Sequence, residues 1–309
     1  MKRALSLFCA LVFVSSCTNG NDVAVKKEVA NTGRCAPSEE NPTLGLAAIT
    51  DKYRVRVWDD PTTTTSRELE QIADDPYANN TGYDLTVVES VALSTQDCKI
   101  FVGACCEPVS GITFYEGENK GEWLQLTGHL PAISPNGGLL ALVGYEELTV
   151  SSVDTPDKVS TTIGLPKSDV ATMYQTAWLN DDQVAVSGFT SQGALVWIAT
   201  ISDGTLQPAQ LITDEMNWGH ENLWRVGLVG VDENKNLVTR VIGTEGNDVL
   251  QFRDAESFEP RSTSNISDTT VTYIIKGARR VTVDIEGVLS VWWGTGSPLP
   301  IGDDYSWAG

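Results

Sequence analysis

The chain has 309 residues, with 41 acidic against 21 basic side chains and a net charge of −20 at neutral pH. So acidic a surface repels phosphate backbones and anionic lipid, and no basic cluster offsets it, so nucleic acid is not the expected partner. Histidine is limited to His129 and His220, which leaves little for triad chemistry, where a histidine stands between nucleophile and carboxylate.

The chain opens MKRALSLFCALVFVSSC. Lys2 and Arg3 precede an apolar run, Ala4 to Val14, broken only by Ser6. The run is too short for a membrane-spanning helix, which needs roughly 20 residues. It has the form of the h-region of a secretory signal. It ends Val14-Ser15-Ser16-Cys17. An aliphatic residue, two small residues and a cysteine resemble the lipobox of bacterial lipoproteins, with Val14 where Leu is usual. The resemblance implies cleavage before Cys17, lipid on its thiol, and a place on a membrane surface outside the cytoplasm. Ordinary secretion is the rival reading. Several acyl chains on one cysteine anchor stably where a single chain would not.

Residues 18–42 are rich in Asn, Ser, Lys and Glu and lack periodicity. They read as a flexible spacer. The expected organisation is a signal peptide at 1–16, a lipidated cysteine and tether at 17–43, and one folded domain at 44–309.

From Leu44 onward, short apolar runs alternate with clusters of Gly, Asn, Asp, Ser and Pro, the pattern of many short strands. Six units share one grammar: a strand, a polar turn, an apolar strand, a looser turn, another apolar strand. They begin near Gly45, Val88, Leu130, Tyr174, Val226 and Val271. Their first turns lie near Asp51, Gln96, Asn136, Asp181, Glu233 and Gly277, spaced by about 40 to 52 residues, the range of propeller blades. The expected fold is all-β: a β-propeller with six blades, or seven if one is degenerate. A pair of β-sandwiches fits the regular spacing less well. Residues Ser134-Pro135-Asn136-Gly137-Gly138-Leu139-Leu140-Ala141 resemble the S-P-D-G-x-x-L-A turn of TolB-like and related WD-type propellers, with Asn136 in place of Asp. That resemblance implies a fold and says little about activity.

Cys9 leaves with the signal and Cys17 carries lipid, so Cys35, Cys98, Cys105 and Cys106 remain for an oxidising compartment. Four cysteines allow three complete pairings. Lys99 to Gly103 reads as a strand, which puts Cys98 roughly 20 Å from Cys105. A disulfide needs Cα atoms within about 7 Å. The expectation is Cys35–Cys98 with a vicinal Cys105–Cys106 bridge. The segment Ala104-Cys105-Cys106-Glu107-Pro108 also resembles an element of exported actinobacterial propeller-like proteins. It reads as a stapled loop, with a redox-sensitive or ligand-gripping turn as the alternative.

Sites of chemistry are few. His220-Glu221-Asn222-Leu223-Trp224 begins like H-E-x-x-H, but Trp224 replaces the second histidine, so two zinc ligands do not share a helix face. Asp232-Glu233-Asn234-Lys235-Asn236 starts like a calcium loop, but Leu237 stands where Gly is needed and Gly243 where the bidentate Glu belongs. A hairpin turn is the better reading there. Asp303-Asp304 reads as a solvated turn or, less readily, as half of a carboxylate pair. Trp58, Trp178, Trp197 and Trp292 sit in strand-like runs and read as core. Trp218, His220, Glu221 and Trp224 share a loop between units, where rings beside amides and a carboxylate suit a sugar face or a peptide. No cofactor is indicated. The leading functional reading is a lipid-anchored binding or scaffolding module for an envelope protein, peptide or glycan. The alternative is a hydrolase or lyase using channel carboxylates or a bound metal. A purely structural envelope component is a third.

Overall fold

The computed structural model describes residues 33–50, 54–69, 88–104, 111–115, 122–124, 126, 128–144, 146–166, 175–190, 193–213, 226–242, 247–267 and 270–308. Among these every regular element is a strand. No helix there is long and apolar enough to cross a membrane.

The strands form five hydrogen-bonded sheets; one has eight strands and divides where its two middle strands pair in parallel, which leaves six antiparallel units. The first holds β1 (Leu46–Thr50), β2 (Val55–Trp58) and β3 (Arg67–Glu68). The second holds β4 (Val88–Leu93), β5 (Ile100–Ala104), β6 (Gly111–Tyr115) and β7 (Glu122–Leu124). The third holds β8 (Gly128–Ile133), β9 (Leu139–Gly144), β10 (Glu147–Ser152) and β11 (Thr155–Gly164). The fourth holds β12 (Gln175–Asn180), β13 (Gln183–Thr190) and β14 (Gly193–Thr200), with β15 (Thr205–Leu206) and β16 (Gln210–Thr213) both paired to β14. The fifth holds β17 (Gly227–Asp232), β18 (Leu237–Ile242), β19 (Asp248–Arg253) and β20 (Pro260–Asn265). The sixth holds β21 (Thr270–Gly277), β22 (Arg279–Asp284), β23 (Leu289–Trp293) and β24 (Leu299–Gly302). The last strand, β25 (Tyr305–Ala308), pairs with β1, so the first unit runs β25-β1-β2-β3.

The leading strands of successive units, β4, β8, β12, β17, β21 and β25, each lie beside the next, and β25 lies beside β4. That arrangement is a closed ring of radial sheets, a β-propeller. Closure explains one departure from the sequence reading. The turn near Asp51 joins the second and third strands of its unit, not the first and second, because β25 supplies the leading strand from 257 residues downstream at the Ile49–Ser306 contact. Tyr305–Ala308 is too short to announce itself as a strand. In the other five units the turns near Gln96, Asn136, Asp181, Glu233 and Gly277 do join first and second strands.

Each sheet is apolar on both faces, and the core is layered between units. Ala47, Ile49 and Val57 meet Val91 and Ile100 across the first and second units. Phe101 meets Leu140 and Leu142 across the second and third. Leu148 and Val150 meet Val184, Val186 and Trp197 across the third and fourth. Val196 and Ile198 meet Leu228 and Leu237 across the fourth and fifth. Val238 and Leu250 meet Ile275 across the fifth and sixth. Val281, Val283 and Val291 meet Leu46, Trp58 and Tyr305 across the sixth and first. Burying one such side chain is worth about 1.5–3 kcal/mol, so these layers outweigh any surface ion pair. Trp58, Trp178 and Trp197 are buried in them. Trp292 is only half-buried, with its ring edge-on to Tyr273.

The turns explain the register. Ser134 and Asn136 close theirs through Asn136 Oδ1, which accepts from the Ser134 hydroxyl and the Gly138 amide. Gly137 has φ of +80°, and a Cβ there would lie 2.8 Å from the Gln96 Cβ, so only glycine fits. The Asn136 amide then donates to Asp181 of the next unit. In the fifth unit, Asp232 Oδ1 accepts from the amides of Asn234 and Asn236, and Oδ2 accepts from the Asn236 side chain. The carboxylate is therefore used by its own hairpin. Among the described residues no cluster of three or more His, Cys, Asp or Glu side chains could hold a metal.

The folded part begins earlier than composition indicates. Residues 33–43, expected in the tether, pack on the second unit: the Arg34 and Cys35 amides donate to the carbonyls of Gln96 and Thr95. A disulfide joins Cys35 to Cys98, with 5.5 Å between Cα atoms. The bridge closes a loop of 63 residues, worth roughly 4 kcal/mol in a chain-entropy account. In the fifth unit Arg240, 4% exposed, pairs with the fully buried Asp248, and its Nη2 donates to the Thr270 carbonyl at 2.6 Å, tying the fifth unit to the sixth.

Candidate functional site

Closing the ring with β25 brings together residues that are far apart in sequence. Arg56 on β2 faces Ala48 across β1 and Glu68 across β3. Tyr305 faces Thr50 across the other edge of β1. Three adjacent strands thus let the Arg56 side chain reach the closing strand. Its Nη1 donates to Asp304 Oδ1 at 3.2 Å and to the Tyr305 hydroxyl at 3.3 Å. The guanidinium carbon lies 5.7 Å from the Tyr305 ring centroid, a cation–π distance. The Glu68 carboxylate stands 3.9 Å from Nε. The Trp58 ring lies 6.2 Å from that of Tyr305, tilted by 42°.

Arg56, Trp58, Asp304 and Tyr305 line a groove of about 460 Å³, together with Thr64, Thr65, Ser66 and residues 301–303. Its chemistry is that of recognition: a cation, carboxylates, three hydroxyl side chains, and two aromatic rings at the base. The hydrogen bond to Tyr305 does most to raise the Arg56 pKa above its ordinary value, burial opposes this, and the charges of Asp304 and Glu68 add to it. The cation is therefore permanent. About a third of the Arg56 and Asp304 side chains is open to solvent, 33% and 38%, so their ion pair adds at most about 1 kcal/mol to stability. The inter-unit core, more than this ion pair, holds β25 in place.

Other expected sites stand as follows. Cys35 and Cys98 are joined. Cys17, the Cys105–Cys106 pair and the loop of Trp218, His220, Glu221 and Trp224 lie outside the described residues. His129 is in β8. In Asp303-Asp304, Asp303 is exposed and the partly exposed Asp304 accepts from Arg56. Asp232-Asn236 is a self-bonded hairpin turn. Arg56 and Tyr305 were not among the residues expected from sequence. The only local hint was the aromatic–polar alternation of Tyr305-Ser306-Trp307.

No family model matches this sequence, and no curated protein matches it. Solved structures do resemble it. TolB from Acinetobacter baumannii superposes with a TM-score of 0.56 at 12% identity, covering 85% of this chain. This chain spans 65% of that TolB chain. Sqt1 from Saccharomyces cerevisiae superposes at 0.50 with 10% identity, covering 86% of this chain and 72% of that one. The β-propeller domain of the Trilobed protease from Pyrococcus furiosus gives 0.47 at 14% identity, covering 86% and 83%. At such identities the likeness to TolB and Sqt1 concerns the fold alone.

Proposed function

We propose that this chain is a lipid-anchored, extracytoplasmic propeller of six blades that binds an envelope protein, peptide or glycan. The observation that carries the reading is the Arg56–Asp304–Tyr305 groove. It sets a permanent cation, carboxylates, hydroxyls and aromatic rings on a rigid ring of sheets, and such rings commonly serve as platforms for recognition. The N-terminal MKRALSLFCALVFVSSC supports export and lipid attachment at Cys17. The Cys35–Cys98 bridge fits an oxidising compartment. In this reading Trp218, His220, Glu221 and Trp224 add a second aromatic and polar contact, and Cys105–Cys106 forms a vicinal staple.

Affinity capture from native membranes with the full chain tests the function. The wild type is expected to retain an envelope protein, or wall glycan fragments, at least about tenfold better than Arg56→Ala, as the loss of a charge-assisted contact implies. Equal retention by both would remove the groove from the account. Mass spectrometry of the mature N-terminus tests the anchor: a diacylated Cys17 is expected, and an unmodified N-terminus beyond Cys17 would show free secretion.

A further inference from the structure

The turn between β21 and β22 is built unlike the other first turns. Those at Asn136, Asn180 and Asp232 bond their own backbone through an acid or amide side chain. This one reads Lys276-Gly277-Ala278-Arg279, two cations and no acid. Arg279 is 2% exposed. Its Nη1 donates to the Leu44 carbonyl at 3.0 Å, across the junction of the sixth and first units. Its Nε is buried without a partner, and Nη2 has none either among the described residues. No carboxylate there pairs with Arg279 or with Lys276.

This is costly unless something compensates it. Buried guanidinium groups are ordinarily paired, because taking the charge out of water costs several kcal/mol. The Nε–Nη2 edge is the one that takes a carboxylate side-on through two parallel hydrogen bonds. Lys276 stands opposite Arg279 across the hairpin. Lys276 keeps exposed surface. The turn beside it is open, although the Arg279 guanidinium itself is covered. Gly277 has φ of +60°, and neither a Cβ there nor one at Gly294, whose amide donates to Ala278, would meet anything within 4 Å. The site is a local reversal of sign on a chain of charge −20, which disfavours polyanions and leaves a singly charged planar group as the best match.

We propose that Lys276 and Arg279 form a recognition site for a single carboxylate group. It shares no residue with the Arg56 groove and does not depend on it. The carboxylate comes either from a free small acid or from an acidic side chain of a bound polypeptide.

The test titrates the full chain, labelled with ¹³C and ¹⁵N at lysine, and follows the Lys276 side-chain resonance. One arm uses N-acetylglycine, a second uses a capped Ala-Ala-Glu-Ala peptide, and a third uses inorganic phosphate. Sodium chloride at matched ionic strength is the reference. A saturable shift beyond that of chloride is expected with the carboxylates, weakened at least about tenfold in Arg279→Met. Tighter binding of the peptide assigns the site to a polypeptide partner; equal or tighter binding of N-acetylglycine assigns it to a small acid. Shifts no larger than those of chloride, tighter binding of phosphate, or an unchanged affinity in Arg279→Met would overturn the proposal. Should Arg279→Met fail to fold, Arg279→Lys keeps the charge and loses the side-on fork. Lys276→Met, on an exposed turn, is read calorimetrically, and either variant binding like wild type is equally fatal.

Discussion

Arg240 and Arg279 lie on the second strands of neighbouring units, and both are almost fully buried. Arg240 finds its counter-charge eight residues away, because β18 and β19 form a hairpin that brings Asp248 back beside it. Arg279 faces Trp293 of β23 and, among the described residues, its side chain donates only to the Leu44 carbonyl. A third buried guanidinium, Arg253, stands between these cases. It donates to Thr239, to the Phe258 and Ile212 carbonyls and to Gln251, and sits 4.6 Å from the Phe258 ring centroid. Burial alone therefore does not say what a cation is for. A charge compensated within its own hairpin is structural, whereas one for which the described residues offer no anion invites a group from outside.

The sharpest way to break that contrast is to unpair Arg240. Asp248→Ala is expected to lower stability by about 3–5 kcal/mol in urea denaturation, since the guanidinium stays buried with nothing opposite. A loss below about 1 kcal/mol would mean that Arg240 tolerates isolation as Arg279 does. Arg279→Met is the converse. Removing a buried charge that no carboxylate among the described residues balances is expected to raise stability by about 1–4 kcal/mol in dilute buffer. A large loss would reassign Arg279 to the fold. Arg56→Ala extends the comparison to the half-exposed groove, with an expected cost of at most about 1 kcal/mol in the same assay. The smallest effect concerns Asp254, a half-buried carboxylate. Amide donation from Ser257 and then Glu256 holds its pKa below the ordinary 3.8, with Arg261 adding less. A folded value below the unfolded one stabilises above pH 3.8 and is lost as pH falls through the lower value. Asp254→Ala should therefore show a shallower acid limb below about pH 4 in pH-dependent urea midpoints, and an unchanged limb would assign acid lability elsewhere.

What the sequence made legible was local. Alternating apolar runs and turns of Ser, Asn, Asp and Gly encode a strand and its hairpin within ten residues, which is why five first turns lie where expected. The Ser134–Gly138 turn shows how: Asn136 and Gly137 act on atoms within a few positions of themselves. Ring closure left no such trace. Arg56 and Asp304 meet across 248 residues, and neither position carries a local pattern that names the other. The cations at Lys276 and Arg279 were equally silent, because their significance lies in the acids that the described neighbours do not provide. The tether boundary moved for a similar reason: residues 33–43 look like linker in composition, but a disulfide and two backbone hydrogen bonds hold them.

The pairing of β25 with β1 also governs time. A chain emerging N-terminus first can build its second to sixth units as local meanders, but β1 keeps an open edge until Ala308 arrives to face Ala48. Such distant pairing makes folding slow, because loop closure precedes any gain from contact. The period before closure is when the half-built ring is most prone to aggregate or to be cut. A deletion of residues 305–309 should prolong that period indefinitely, leaving a propeller with compact middle units that never latches.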